Sequence, residues 1–524
     1  MLRRVKDLFR NLLTYGLGDA ATSIVSLLLL PVYTAYLSPE DYGVIGLLLV
    51  IEAVTKVLFR WGVDTAFMRL YYDCPDQAAR QRLASTLFFF LFAVNGTLLA
   101  AGIAAARRLS AWQFDTPEYA ALVMLVMANM FVTGFYFIPF QVLRIRNESR
   151  QFVALSFARS AGTLVMRLVL VVGAGMGVTG VVLADVLVTA AFTLVLLPWL
   201  APLIRPVFSP PILRDALRFG LPRIPHSIAN QVMGLADRYL LKRFGTLADV
   251  GLYSIGATFG LALKFFLSAF EFAWTPFFLG VMREPDAKRI YSTVSTYVVA
   301  ALMLLVAGTC AVAPDLVRLA TQPPFHSAAA VTPWIALGVM FQGFYLVGSI
   351  GLIITKRTTR YPLATGAAAG VSLIANLALI PRYGMMGAAW ANTIAYAALA
   401  AITVGFSWRL YPIPYEWRRL LRVAAAAGVA YATATWLVPP VRPLTGILLR
   451  GSAAVLAYLA VLFLAGFFHA GEVRILRDIR GRVLTRRAGP AADTQQVEMA
   501  GEIVGTGPEP AEDPFSRDSP ASRR

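Results

Sequence analysis

Cysteine is nearly absent from this sequence: Cys74 lies in a short polar stretch and Cys310 inside an apolar run. With no Cys or His neighbours at metal-ligand spacing, they support neither a disulfide framework nor a zinc site, and no metal is expected. No glycine-rich phosphate-binding loop or other nucleotide motif is present either. Charge is scarce as well. Only 15% of the 524 residues are charged against 58% hydrophobic, and mean hydropathy is +0.65. That is more apolar surface than one soluble core can hide, so a bilayer has to be part of the solvent. A net charge of +18 would point to nucleic acid in a soluble protein. Here the basic residues fall in short breaks between apolar runs, the pattern of topology signals, and no nucleic-acid partner is expected.

A crossing helix needs about 20 mostly apolar residues. That rule predicts fourteen spans, at 12–36, 41–66, 83–106, 119–143, 151–173, 177–200, 215–241, 250–280, 290–313, 328–355, 361–380, 384–408, 420–438 and 444–469. The N-terminus is basic, but the run after it is long and lacks a small-residue cleavage pattern, so it reads as a retained first span. With both ends in the cytoplasm, every inner connection, taken with the first turn of the span that follows, carries at least three Lys or Arg, and no outer one carries more than two. The fourteen-span count therefore obeys the positive-inside rule at every loop. Beyond Ala470, Val473, Leu476, Ile479 and Val483 recur at helical spacing in a basic segment, which fits a surface helix on an anionic leaflet or a solvated basic run. From about Ala488 to Arg524 the Pro, Gly, Ser and Glu content predicts disorder.

An internal repeat is visible. Gly177-Val178-Thr179-Gly180 with Ala184-Asp185 recurs 207 residues on as Gly384-Met385-Met386-Gly387 with Ala391-Asn392. A shift of 208 aligns Asp41 with Asp249, Gly43 with Gly251 and Lys56 with Lys264. Spans 1–6 thus read as duplicated in spans 7–12. An even number of crossings per unit gives both copies one orientation, related by a pseudo-twofold axis along the membrane normal. The expected organisation is an all-α integral membrane protein: a six-helix lobe over 1–204, a second over 205–410, two extra helices over 411–470, and a basic segment with a disordered tail over 471–524.

The stretch Pro225-His226-Ser227 through Ala236-Asp237-Arg238-Tyr239, then Ala248-Asp249-Val250-Gly251-Leu252-Tyr253, resembles spans seven and eight of bacterial polysaccharide-biosynthesis flippases. So do Leu37-Ser38-Pro39-Glu40-Asp41-Tyr42-Gly43 and Pro381-Arg382-Tyr383-Gly384 with Met385-Met386-Gly387-Ala388-Ala389. The resemblance covers roughly residues 10–470. It implies the multidrug and oligosaccharidyl-lipid exporter fold, a V of two six-helix lobes around a central cavity. It also implies the activity: moving a polyprenyl-diphosphate-linked oligosaccharide across the bacterial cytoplasmic (inner) membrane, with no covalent chemistry. Membrane lipids, a polysaccharide polymerase and glycosyltransferases are the partners that follow.

An ionised side chain at mid-bilayer costs about 2.5–3.5 kcal/mol even on the lenient scale, so charges within spans should face protein or water. Glu52, Lys56, Arg60 and Asp64, four apart along span 2, share one side of a helix. They form either a self-neutralising ladder or a cavity wall whose Lys56 and Arg60 attract the substrate diphosphate. The repeat would set Lys264 opposite Lys56. It also brings Asp19 onto Arg223, at a shift of 204, as a pair that could form in one state only. Arg159 on span 5 joins the cationic candidates, with Arg167 eight residues on at a wet edge. With no nucleotide motif, coupling to H+ or Na+ is expected and no cofactor. Asp19, Glu52, Asp64, Asp185 and Glu271 are the carboxylates placed for coupling, Glu271 sharing a face with Lys264. Asp237 beside Arg238 reads as a structural pair, and His226 as a hydrogen-bonded helix residue. Pro31, Pro222, Pro225 and Pro276 should kink their spans. Trp61, Trp274, Tyr253 and Phe272 could stack on sugar rings or simply pack.

Three rivals remain. A drug or cation antiporter on the same fold would prefer an acidic cavity. A flippase for the peptidoglycan lipid precursor would share the chemistry. A glycan polymerase or ligase would usually present large outer loops, and the longest here, about 313–327, is short.

Overall fold

The computed structural model of the chain describes residues 29–468 apart from 136, 147 and 358; at 149, 223, 272 and 273 only the backbone is described. Most of expected span 1, Asp19 and the segment after 470 lie outside the described residues.

Helices account for nearly all of the rest. The first half contains Leu30–Tyr36 (α1), Pro39–Arg60 (α2), Val63–Asp73 (α3), Gln77–Phe114 (α4), Ala120–Thr133 (α5), Phe137–Ile145 (α6), Ser149–Arg167 (α7) and Gly177–Leu200 (α8). A π-helical turn, Leu168–Gly173, follows α7. Then come Pro210–Gly220 (α9), Ile224–Phe244 (α10), Leu247–Leu261 (α11), Lys264–Val281 (α12), Ala287–Ala320 (α13), Thr332–Gly348 (α14), Ile350–Ile354 (α15), Arg360–Leu410 (α16), Trp417–Leu437 (α17) and Pro443–Leu464 (α18). Ten helices among the described residues are long and apolar enough to cross a membrane, or eleven if the bent pair α11 and α12 is one span.

The expected seventh span coincides with a helix that this criterion does not count, and the expected eleventh and twelfth fall in one helix that it counts once. The seventh is α10, whose Asp237, Arg238, Lys242 and Arg243 lower its hydropathy. The eleventh and twelfth share α16, which is non-helical at Gly384 (φ 55°, ψ −133°). Along a straight helix Leu379 and Gly387 would stand about 12 Å apart. Instead a Cβ on Gly387 would overlap the Leu379 carbonyl, so the chain turns back on itself there.

Span 2 is broken. Its N-terminus is a capping box, the Asp41 N–H donating to Ser38 Oγ (3.1 Å) and the Ser38 N–H to Asp41 Oδ2 (2.9 Å). At its other end Trp61 (φ 50°) and Gly62 (φ 68°) are left-handed, and α3 starts afresh at Val63. A break in an apolar layer leaves carbonyls without helical partners. Buried Asn95 on α4 answers one of them, donating to Phe59 O at 2.9 Å. Gly62 also lies against Gly220 at the end of α9, so close that a Cβ on either would strike the other's backbone. α9 thus packs on α3 and α4.

The repeat has a geometric counterpart. A second capping box, Thr246 with Asp249, opens α11 as Ser38 with Asp41 opens α2. The two helices cross where a Cβ on Gly43 would overlap Leu247 O and a Cβ on Gly251 would overlap Pro39 O; each contact is the other shifted by 208 residues. Gly177 (φ 54°) and Gly384 (φ 55°) match likewise at 207. Helices α2, α4, α5, α7 and α8 pack among themselves, as do α10, α11, α13, α14 and α16, and α2 joins the sets by lying on α11 and α10. α17 packs on α13. α18 is tied to α13 by Arg450 and buried Asp315 (2.7 Å) and by Tyr458 OH donating to Ala300 O (2.7 Å).

The expected proline kinks are mixed. Pro222 lies in a 3-10 turn between α9 and α10, Pro276 lies within α12, and Pro31 and Pro225 fall in first turns, at α1 and α10, where no helical hydrogen bond is lost.

Candidate functional site

The N-terminal set gathers charge from three helices. Glu52 is half-buried on α2 and Lys56, one turn on, is exposed. Arg159 and Arg167 come from α7, Asp185 from α8. Arg167 grips Asp185 with both arms, Nε to Oδ1 at 3.0 Å and Nη2 to Oδ2 at 2.7 Å, the planar two-point match that guanidinium and carboxylate favour. Glu52 lies within electrostatic range of Asp185, Lys56, Arg167 and Arg159. A cavity of about 460 Å³ opens beside them, lined by Arg167, Tyr33 and Tyr42 together with Thr258 and Leu261 of α11.

The C-terminal set holds a buried polar knot. Asp237, 2% exposed, accepts from the Arg238 N–H (2.8 Å) and guanidinium (3.4 Å) through Oδ1, and from Tyr253 OH through Oδ2. Asn392 hydrogen-bonds to the same carboxylate. Donors from Arg238, Tyr253 and Asn392 converge on the acid, the kind of partnering that a carboxyl this deep requires. Beside it a second cavity, about 440 Å³, is lined by Lys264 and Glu271 of α12 and by amides and phenols of α10, α14 and α16. The Lys264 ammonium stands 6.0 Å over the Tyr396 ring.

Several expectations need correction. The four-residue ladder on span 2 does not run as one helix face, because the break at Trp61 and Gly62 separates Arg60 from Asp64. These two still meet, at 3.7 Å, with the Arg60 guanidinium over the Phe137 ring at 5.6 Å. Glu52 and Lys56 make no direct ion pair among the described residues, nor do Lys264 and Glu271. Tyr253 and Trp274 are 1% and 2% exposed and cannot stack on a sugar as they stand; Trp274 is packed among Phe270, Phe277 and Phe278. Trp61 sits edge-on to Phe90 at the helix break. The side chains of Arg223 and Phe272 are not described, and the Asp19 and Arg223 pair falls outside the described residues. His226 is hydrogen-bonded, Nδ1 to Thr365 Oγ1 (3.0 Å) and Nε2 to Asn230 (3.1 Å).

Sequence reasoning missed the partnership of Arg167 with Asp185, although a signal existed. The two stand nine residues either side of Met176, in the turn between α7 and α8, so they meet at one depth of a helix hairpin. Asp237 and Tyr253 are equally disposed about Gly245. Asp315 with Arg450, and Asp115 with Lys242 (2.6 Å), had no such local sign.

Membrane-length helices that hold paired charges in their interior, beside cavities, define a polytopic membrane protein of the exporter and flippase fold. A family model described as "Polysaccharide biosynthesis protein" matches residues 34–328, more than half of the chain, which therefore belongs to that family. Among curated proteins nothing matches. The fold is similar to that of "Lipid II flippase MurJ, inward closed conformation", with TM-score 0.66, 13% identity, and 88% of this chain and 98% of that one covered. It is also similar to an inward-facing multidrug resistance MATE family transporter of the MOP superfamily, with TM-score 0.57, 16% identity, and 79% and 96% covered. The outward-facing form of such a transporter gives 0.54 at 16% identity, with 80% and 96% covered.

Proposed function

We propose that this protein is a flippase that carries a polyprenyl-diphosphate-linked oligosaccharide from the inner to the outer leaflet of a bacterial cytoplasmic membrane, for surface polysaccharide synthesis. The observation that carries the reading is the set of cations on membrane-length helices. Lys56 is exposed on α2 with no carboxylate in contact among the described residues, Arg60 shares that helix, and Arg159 and Lys264 stand on α7 and α12. In hydrocarbon each would be costly; beside a water-filled route they attract an anionic lipid head.

Fourteen spans in two six-helix lobes, with both ends in the cytoplasm, fit this reading. The reciprocal crossing of α2 and α11 and the matched glycines at 177 and 384 support the pseudo-twofold. On that topology the outer ends of the lobes are joined, by the α2 and α11 crossing, by Asp115 with Lys242, and by Trp112 stacked on Tyr239 (4.7 Å), so the route opens inward. The work is done by alternating access, with H+ or Na+ coupling through carboxylates such as Glu52, Asp185 and Glu271. A polymerase and glycosyltransferases would act on either side of the step.

The test is charge reversal. Lys56→Glu, Arg60→Glu and Lys264→Glu, expressed in a strain lacking its own flippase, should each abolish surface polymer while the protein still inserts at normal levels. Normal polymer in all three removes the reading. Resistance to toxic cations conferred by the native chain would favour an antiporter instead, and lysis on depletion a peptidoglycan precursor flippase.

A further inference from the structure

The surroundings of Lys264 differ in kind from those of Lys56. Lys56 and its neighbours in the first lobe are charges. The second-lobe cavity is lined instead by neutral hydrogen-bonding groups, among them Gln231 of α10, Gln342 and Tyr345 of α14, and Tyr396 of α16, with Lys264 and Glu271 on the α12 wall. Its volume, about 440 Å³, falls in the range of about 300–1,000 Å³ usual for small-molecule pockets.

Those polar groups are not spent on the protein. Gln342 Nε2 is buried without a hydrogen-bond partner among the described residues, a cost proteins seldom leave uncompensated. The hydroxyls of Tyr345 and Tyr396 bond to no described residue, and Lys264 has a ring beneath it rather than a carboxylate. A phosphate asks for cations and N–H donors. This cavity supplies amides that donate and accept, phenols that do both, one carboxylate that only accepts, and aromatic faces. That mixture matches hydroxyl groups on apolar C–H faces, which is the chemistry of a sugar ring. Glu271 lies seven residues beyond Lys264, about 10 Å along the helix at 1.5 Å per residue, so a ligand touching both is longer than one ring.

We infer that the second-lobe cavity is a saccharide subsite, which holds the glycan of the lipid-linked substrate with an acidic sugar group against Lys264 and hydroxyls against Gln342, Gln231 and Glu271. The inference rests on the flippase reading above and reassigns Lys264 from the lipid head to the glycan, leaving the head to Lys56 and Arg60 of the first lobe. The anion at Lys264 could come from an acidic sugar or from the diphosphate itself, and the experiment separates the two.

The full chain in lipid nanodiscs is titrated with three probes: a glucuronate-containing disaccharide, the neutral disaccharide maltose, and sugar-free undecaprenyl diphosphate. The native protein should bind the acidic disaccharide more tightly than maltose. Gln342→Ala and Gln231→Ala should each weaken the acidic disaccharide at least fivefold and leave undecaprenyl diphosphate within twofold of native. Lys264→Gln should erase the preference for the acidic sugar. No disaccharide binding, or binding that both glutamine variants leave unchanged, overturns the subsite while lipid binding through Lys56 and Arg60 stands. If the glutamine variants weaken undecaprenyl diphosphate instead, the cavity holds the diphosphate and the inference is wrong. Loss of lipid binding in the native chain alone would strike the flippase reading and not the sugar site.

Discussion

Asp237 shows what a single buried charge demands. Its carboxylate is held by Arg238 and Tyr253 with almost no solvent, and removing it strands a guanidinium that is itself 7% exposed. Asp237→Ala should therefore destabilise the protein by about 3–5 kcal/mol, the usual loss when one member of a buried pair is deleted. Tyr253→Phe removes one neutral donor to a charged acceptor and should cost about 1.5–3 kcal/mol. Thermal unfolding of the purified protein in detergent measures both. An unchanged midpoint in Asp237→Ala would mean the pair is not load-carrying. The sequence announced this pair as structural, because adjacent acid and base in a span need each other. It gave no hint of Tyr253's role, since a tyrosine at membrane depth is equally at home packing or stacking.

At the scale of elements, two devices decide how helices sit: a break and a close crossing. Span 2 breaks at Trp61 and Gly62, and Asn95 makes the break tolerable by capping Phe59 O. Asn95→Leu should lose about 1–3 kcal/mol, the penalty of leaving a buried carbonyl unmet, read as a lower unfolding midpoint. The crossing of α2 on α11 depends on bare backbone at both glycines. Gly43→Val and Gly251→Val should each force the helices apart, and, because the two contacts are equivalents, by similar amounts. The check is accessibility of a cysteine at Thr258, which should react faster with a membrane-impermeant thiol reagent in both variants. The sequence marked these glycines through the repeat alone. That they face each other could not be read from it, since a repeat aligns positions without saying which helix lies against which.

For the whole molecule the question is how the two sets of helices move. Asp115 with Lys242 and Trp112 with Tyr239 tie the end of α4 to α10. With Cys74 and Cys310 replaced by Ser, the double variant Asp115→Cys, Lys242→Cys should be bridged by a short bifunctional thiol reagent, and bridging should stop polymer export until a cleavable linker is cut. Continued export in the bridged protein would mean that this contact persists throughout the cycle. The Lys242 hydrogen bond and charge hold the Asp115 carboxyl below its ordinary value, about 3.9. A lowered folded value means the stabilisation is present above that figure and is lost only as pH falls below it. The tie is exposed and worth little, about 0–1 kcal/mol. The native tie should accordingly be unchanged from pH 5 to 8, so polymer export should follow the same pH profile in the native protein and in Asp115→Asn, and any pH dependence in that window has to arise at other groups.

What the chain's own residues fixed was its helical, many-span character and the order of its segments, because hydrocarbon permits no unpaired backbone and leaves long apolar runs one solution. Basic loops and the near-208 repeat followed from the same linear text. Tertiary structure alone decided which charges meet, that span 2 is broken between Arg60 and Asp64, that Trp274 and Tyr253 are sealed in, and that Lys264 looks into a cavity of amides and phenols. The reason is that lipid tails are as apolar as a leucine side chain. A span therefore carries no clear contrast between the face that meets lipid and the face that meets protein, and only packing assigns them.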